Sequence, residues 1–278
     1  VNATLSSFDS NIQSQGIYEC PVMQIDEVAR GIFLMRLRHP EISRQMGPGQ
    51  FVNVRVRDEL TPLLRRPFSV CQVNVEEGSF DLLWKIYGRG TALMALCKKG
   101  DNLNVLGPLG NGFAISPELR HAVLVAGGLG IAPMPFLAKR LTRQKIKTTV
   151  LIGARTRGEL WGTEIFEALG AEVRHATDDG SLGRKGFVTE LLREEMRRQR
   201  NFEIFSCGPM PMLSKVAELC IESKVDGQAA VETIMGCGFG ICMGCPMIPM
   251  TGVKTYGRYL LTCVDGPVFR LDEVKLVD

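Results

Sequence analysis

Four cysteines near the C-terminal end of the sequence carry its most specific chemistry. The stretch TIMGCGFGICMGCPMIPMTGVKTYGRYLLTC, Thr233 to Cys263, holds Cys237, Cys242, Cys245 and Cys263 in the order C-x4-C-x2-C followed by a distant fourth. Three thiolates from one tight loop and a fourth from a later strand is the plant-type spacing for a [2Fe-2S] cluster. Such a loop must turn its backbone N–H groups toward sulfur, and Gly236, Gly238, Gly240 and Gly244 supply the freedom to do so. Two other uses of the thiols stay open. Structural zinc sites usually combine two C-x2-C knuckles, and here only Cys242 and Cys245 form one. Disulfides suit secreted chains, and the N-terminal text has no charged-then-apolar leader pattern.

Two further sets of residues could bind phosphate. In LLRRPFSV, Arg66-Pro67-Phe68-Ser69 sets a fixed cation beside a stiff extended backbone and a hydroxyl. An arginine can pair a pyrophosphate, while strand N–H groups and a serine can reach the edge of a flavin. An ordinary strand with one surface arginine would read the same. KIYGRGTALMALCKKGD follows, a glycine-rich turn feeding a short amphipathic helix, in which Gly88, Gly90 and Thr91 would present free N–H groups to a phosphate. GPLGNGF at 107–113 is a third glycine turn, equally readable as a hairpin. The second set is in RHAVLVAGGLGIAPMPFLAKRL. There a continuous apolar strand enters Gly127, Gly128 and Gly130, whose bareness would admit a dinucleotide's phosphates to a helix N-terminus, with Pro133 suited to the first turn. Cys207-Gly208-Pro209 ends another strand, where open α/β sheets bind ligands. Arg155 and Arg157 follow the strand at 151–154 and could face a 2′-phosphate, or lie on a solvated loop.

The elements that must position these groups fall into blocks. From Gly16 to about Ile115, Val/Ile/Phe-rich runs broken by turns predict a small antiparallel β-barrel, residues 17–116. Residues 117–227 alternate strand and helix, which predicts an α/β domain with a parallel sheet. Residues 228–278 form a small cluster domain, and residues 1–16, which are polar, a mobile extension. Asn2-Ala3-Thr4 matches a glycosylation sequon, a pattern common by chance.

Composition excludes several classes. A chain of 278 residues with 45% hydrophobic content has ample core for two or three domains. A net charge of +3 without a basic stripe speaks against a nucleic-acid partner. Apolar runs such as AVLVAGG are far too short to span a bilayer. The remaining cysteines, Cys20, Cys71, Cys97, Cys207 and Cys220, are scattered in apolar text, which fits a reducing cytoplasm, and all but Cys207 read as core thiols. His39, His121 and His175 enter no recognisable triad.

Read together, RPFS, GRGT, GGLGIAP and CGP resemble the ferredoxin–NADP reductase superfamily over nearly the whole chain beyond residue 16. The block order, with LLRRPFSV, GPLGNGF and the tail CVDGPVF, is similar to the electron-transfer subunits of NAD-dependent dihydroorotate dehydrogenase. That resemblance implies FAD held by Arg66 through Ser69, by Leu83, Trp84 and Lys85, and by Gly90 and Thr91. Trp84 reads equally well as core. It implies nicotinamide beside Cys207, Gly208 and Pro209, with Cys207 the one catalytic candidate, and iron on Cys237, Cys242, Cys245 and Cys263. It further implies an oxidoreductase subunit of pyrimidine biosynthesis, in a hetero-oligomer with an FMN-bearing catalytic subunit, using NAD(H) in preference to NADP(H). The segment between Cys245 and Cys263 is longer than the usual family loop, and the N-terminal extension is also a departure. Related subunits serve sulfhydrogenases and NADH-dependent ferredoxin:NADP oxidoreductases. The cluster of the latter replaces one cysteine by aspartate, unlike the four cysteines here. A rival of another class is a zinc-binding assembly module on an inactive reductase scaffold. The soft apolar residues flanking the thiols, Met235, Phe239, Ile241, Met243, Met247, Ile248 and Met250, are expected to form a partner interface.

Overall fold

The computed structural model describes residues 15–198, 201–253 and 259–277. The N-terminal extension up to residue 14, with its sequon, and residues 254–258 of the long segment between Cys245 and Cys263 lie outside the described residues.

Six strands close the expected antiparallel barrel. They are β1 (Gly16–Ala29), β2 (Ile32–Arg38), β3 (Phe51–Arg55), β4 (Arg66–Asn74), β5 (Ser79–Lys85) and β6 (Asn102–Leu109), ordered β1-β2-β5-β4-β3-β6. A short helix α1 (Pro40–Gln45) follows β2, and α2 (Arg89–Met94) follows β5. Side-chain alternation fills the interior, with Val52 and Val54 of β3, Val70 of β4, and Phe80 and Leu82 of β5 buried together. The opposite face of β3 presents Phe51 and Asn53 outward, toward the C-terminal cysteines.

The second layer is a parallel sheet. Its strands are β7 (His121–Gly127), β8 (Lys147–Ala154), β9 (Glu172–Thr177), β10 (Arg184–Lys185), β11 (Glu203–Cys207) and β12 (Gly227–Ala230). All seven residues of β7 are buried, as its unbroken apolar text requires. Val123 and Val125 pack on one side against helices α5 (Val188–Arg198) and α6 (Met210–Ser223). Ala122, Leu124 and Ala126 face the other way, toward α3 (Met134–Arg143), with α4 (Thr163–Ala168) completing that layer.

The C-terminal segment holds a two-stranded ribbon, β13 (Pro246–Met247) with β14 (Leu260–Leu261). It then returns to the large sheet, where β15 (Val268–Arg270) pairs antiparallel with β12. The division expected between residues 227 and 228 falls within β12, and β15 covers what would otherwise be an open sheet edge. No described helix is long and apolar enough to cross a membrane.

Candidate functional site

Arg66 opens β4, and its guanidinium lies across the glycine turn that precedes α2. A Cβ on Gly90 would stand 2.8 Å from Arg66 Nε, so a bare residue there is what lets the cation rest on the turn. Arg66 Nη1 donates to the carbonyls of Leu64 (2.5 Å) and Arg65 (3.3 Å). Thr91 Oγ1 accepts from the N–H groups of Tyr87 (2.9 Å) and Gly88 (3.1 Å). The Gly88 N–H is therefore not free for a phosphate, as the sequence reading had it. Thr91 uses it to tie the turn, which leaves Gly88 facing open space.

The flavin candidates divide by where their side chains go. Ser69 and Pro67 pair in register with Phe51 and Asn53 of β3. Trp84 packs as core, one of the two readings its sequence left open. Its indole is 2% exposed, stacks on Phe33 within the barrel core and donates Nε1–H to the Thr91 carbonyl at 3.3 Å. Phe68 meets the same indole edge-on. Leu83 joins the apolar cluster shared with Ile131 and Ala132 of the nicotinamide side. Lys85 reaches Glu159 at 3.2 Å, so β5 ends in an ion pair between barrel and α/β domain.

The three glycines after β7 also separate. A Cβ on Gly130 would fall 2.1 Å from the Cys207 carbonyl oxygen, and one on Gly127 2.6 Å from Met212 Sδ. Both lie against the chain itself, Gly130 on the Cys207 backbone and Gly127 on the flexible end of the Met212 side chain. Gly128, at φ +54° with nothing within 4 Å of its Cβ direction, is the position that leaves room outward. Pro133 caps α3 after a short 3-10 turn over Gly128–Ile131. Cys207 ends β11 directly beneath this turn, buried, and burial pushes its thiol well above the ordinary range, so it stays protonated. Gly208 packs against Gly127 and Met212, and Pro209 caps α6. Arg155 is paired bidentately with Glu159 (3.1 and 2.5 Å), while Arg157 lies on an exposed turn.

The cysteine loop seats on the barrel wall. Cys245 Sγ lies 3.3 Å from Cys263 Sγ, and both pack against Phe51 and Leu109. Cys237 and Cys242 exchange contacts, each backbone N–H directed at the other's sulfur at 3.4 Å. Burial raises the Cys237 thiol, but N–H groups of Cys242, Phe239 and Ile241 outweigh it and bring it to about 6. Burial and the contact with Cys245 push Cys263 up to about 12. The loop turns through Gly238 (φ +84°) and Gly240 (φ +92°), conformations a side chain would strain. Among the described residues no three Cys, His, Asp or Glu side chains converge as the ligands of a single ion. Grouping two and two, with N–H donors aimed at sulfur, suits a pair of irons, each needing two thiolates beyond its bridging sulfides. A lone zinc would need all four thiols drawn to one point.

Sequence reading missed two residues, Glu159 and Asn53. Glu159 lies 74 residues from Lys85 and 4 from Arg155, the two cations it joins. Asn53, 1% exposed, donates Nδ2–H to the Cys237 carbonyl at 2.9 Å. Its only sequence signal is an amide inside the apolar run QFVNVRV. The histidines have local partners: His121 lies 3.0 Å from Thr149 Oγ1, His175 2.9 Å from Thr163 Oγ1, and His39 packs against the Tyr18 ring. The turn GPLGNGF and the tail CVDGPVF, noted separately in the sequence, touch. Asn111 Nδ2 donates to the carbonyls of Val264 (2.9 Å) and Asp265 (3.0 Å), and Asn111 N to that of Gly266 (2.6 Å).

A flavin barrel, a nicotinamide sheet and a cysteine loop on the barrel wall define a flavin- and iron–sulfur-dependent reductase. Residues 19–113 match the oxidoreductase FAD-binding domain and residues 124–218 the oxidoreductase NAD-binding domain. Residues 232–275 match the iron-sulfur cluster binding domain of dihydroorotate dehydrogenase B. The chain is 40% identical to the dihydroorotate dehydrogenase B (NAD(+)) electron transfer subunit of Lysinibacillus sphaericus, over 92% of this chain and 97% of that one. It is 39% identical to the subunit of Bacillus caldolyticus, over 90% and 95%. A solved NADH-dependent reduced ferredoxin-NADP oxidoreductase superposes with a TM-score of 0.83 at 30% identity, covering 94% of this chain and 91% of that one. The ferredoxin reductase of carbazole 1,9a-dioxygenase shares the fold at 21% identity and a TM-score of 0.66, over 76% of this chain and 67% of that one. The chain belongs to the family of dihydroorotate dehydrogenase B electron-transfer subunits.

Proposed function

We propose that this chain moves electrons between NAD(H) and a catalytic partner subunit that bears FMN and oxidises dihydroorotate, in the pyrimidine biosynthesis of the cytoplasm. The observation that carries the reading is the seating of the cysteine loop on β3, the strand that pairs with the Arg66–Ser69 motif. FAD supplies the conversion between the hydride of a nicotinamide and the single electrons of an iron–sulfur cluster.

The chain's own residues bind, orient and exclude water. Arg66 on the Gly90 turn is the cation for the FAD pyrophosphate, and the Ser69 hydroxyl and the β4 backbone address the flavin. Thr91 stiffens the turn, and Trp84 and Phe68 support it from inside the barrel. Gly128 leaves the approach to the dinucleotide phosphates, while Cys207, Gly208 and Pro209 form the floor beside the nicotinamide. The Cys207 thiol acts there as a neutral, packed group. Cys237 with Cys242, and Cys245 with Cys263, hold the two irons. Arg155, already engaged by Glu159, is a poor receiver for a 2′-phosphate, which favours NAD(H).

The face beyond the cluster is soft and open. Ile241 is 77% and Met243 58% exposed, with Phe239, Ile248 and Met250 also exposed, whereas Met247 is buried and Met235 half-buried. We assign this face to the catalytic partner. The purified single chain should oxidise NADH with an artificial acceptor and leave dihydroorotate untouched. Turnover of dihydroorotate by the chain alone would refute the subunit reading. A second reading, a reductase subunit in an NADH-dependent ferredoxin:NADP oxidoreductase complex, is favoured by the 0.83 superposition. Mass spectrometry of the native complex separates the two by naming the partner. A zinc module would show no iron–sulfur absorbance.

A further inference from the structure

We propose that Asn53 is a positioning residue for the iron–sulfur loop, fixing the orientation of the peptide after Cys237 and, through it, the properties of the cluster; this rests on the functional reading above. Asn53 sits on β3 between Val52 and Val54, which face the barrel core. Its own side chain points outward and is buried beneath the loop. Nδ2 donates to the Cys237 carbonyl across 184 residues of sequence. In a trans peptide the N–H points opposite to the C=O. Pinning the Cys237 carbonyl to the barrel therefore directs the Gly238 N–H away from the barrel, into the loop.

Two further observations show that the contact is built. A Cβ on Gly238 would stand 2.1 Å from Asn53 Nδ2, so the loop approaches the amide as closely as a bare residue allows. Asn53 Oδ1 is buried with no hydrogen-bond partner. An unmet buried acceptor costs stability, and a leucine of similar volume would not incur it. Among the described residues, then, the Nδ2 bond to the loop is the one hydrogen bond this buried side-chain amide makes. Asn53 also pairs with Pro67, so the residue that orients the first cysteine lies on the strand adjacent to the flavin motif.

Partners of this outer kind hold ligands in place, and losing one typically costs about tenfold or more in metal affinity. The test uses the full chain with its FAD and cluster and the variants Asn53→Leu and Asn53→Ser. Leucine keeps the volume without the donor, and serine is too short to reach the carbonyl yet overfills nothing. Both should keep FAD, lose iron to a chelator about tenfold faster, and shift the cluster's midpoint potential and the EPR g-values of its reduced form. A merely structural Asn53 would lower the melting temperature and leave potential and g-values where they were. Wild-type potential, g-values and iron-loss rate in the serine variant would overturn the proposal while leaving the functional reading intact. An unaltered chain with no iron–sulfur EPR signal would overturn both.

Discussion

Alanine at Gly130 and at Gly128 should act by different routes, although the two residues share one glycine-rich turn. At Gly130 the new Cβ would lie 2.1 Å from the Cys207 oxygen, 2.3 Å from its carbonyl carbon and 2.6 Å from the Gly208 nitrogen. Carbon and oxygen settle at about 3.3 Å or beyond, so one backbone must retreat by roughly 1.2 Å. Neither is free to do so, since β7 and β11 are paired side by side through Ala126 and Cys207. Overpacking of this sort costs about 1–3 kcal/mol, and a domain of this size loses roughly 2–4 °C per kcal/mol. A fall in melting temperature of about 2–12 °C follows. The same retreat moves Cys207-Gly208-Pro209, and a 1 Å misplacement can cost about a hundredfold in rate. At Gly128 there is nothing to strike, and the cost is the φ of +54°, about 1–2 kcal/mol for an alanine. G128A should lose about 2–8 °C by the same conversion and also raise KM for NADH, because its methyl would enter the space proposed for the phosphates. Thermal melts and steady-state NADH oxidation with ferricyanide measure both effects. A G130A protein with wild-type melting and kcat/KM would show that the packing argument is wrong.

Other expected outcomes are as direct. Cys242→Ser should bleach most of the iron–sulfur absorbance and leave FAD in place, since the barrel does not depend on that loop; unchanged iron per chain would remove Cys242 from the ligand set. Arg66→Ala should weaken FAD retention by about 1.5–3 kcal/mol, the loss of one charge-assisted contact, read by dialysis or flavin fluorescence. NADH should give a higher kcat/KM than NADPH, and Glu159→Gln, which frees Arg155, should narrow the ratio. The Arg155 and Lys85 contacts hold the Glu159 carboxyl near 2. Its folded value lies below its ordinary one, so the bridge contributes fully above about pH 4.5 and is lost as pH falls toward 2. Glu159→Gln should accordingly differ from wild type in stability at neutral pH, with the gap closing only in strong acid.

What could be read from the text, and what could not, follows from how far each constraint reaches along the chain. The first three cysteines, the RPFS and GRGT marks and the apolar strand at β7 each concentrate their cause within a dozen residues, and the structure has them on a loop, a strand, a helix start and a strand. The barrel's alternation and the βα alternation were legible for the same reason. Less was legible where a residue answers to something distant. Gly130 read from its own text as a residue open to a ligand, and the close backbone that also requires it bare belongs to Cys207, far along the chain. Gly88 looked open, but Thr91 had turned back to use its N–H. Trp84 read equally well as core or as a flavin neighbour, and only the closed barrel, where it joins Phe80 and Leu82 in one cluster, decides its packing.

The meeting of GPLGNGF with CVDGPVF, and of Asn53 with Cys237, belongs to the same class of cause. Each half is visible in the sequence, and the pairing is set by the seating of a C-terminal loop on a wall built two hundred residues earlier. That wall explains why the functional centre of this chain cannot be assigned to one domain. β3 is a barrel strand on its inner face, through Val52 and Val54, and part of the cluster site on its outer face, through Phe51 and Asn53. Adjacent strands lie about 4.8 Å apart, so β4 with the flavin motif and the loop with the cysteines are neighbours across a single strand. A substitution on β3 is therefore expected to reach both sides at once, which is what the proposed role of Asn53 requires.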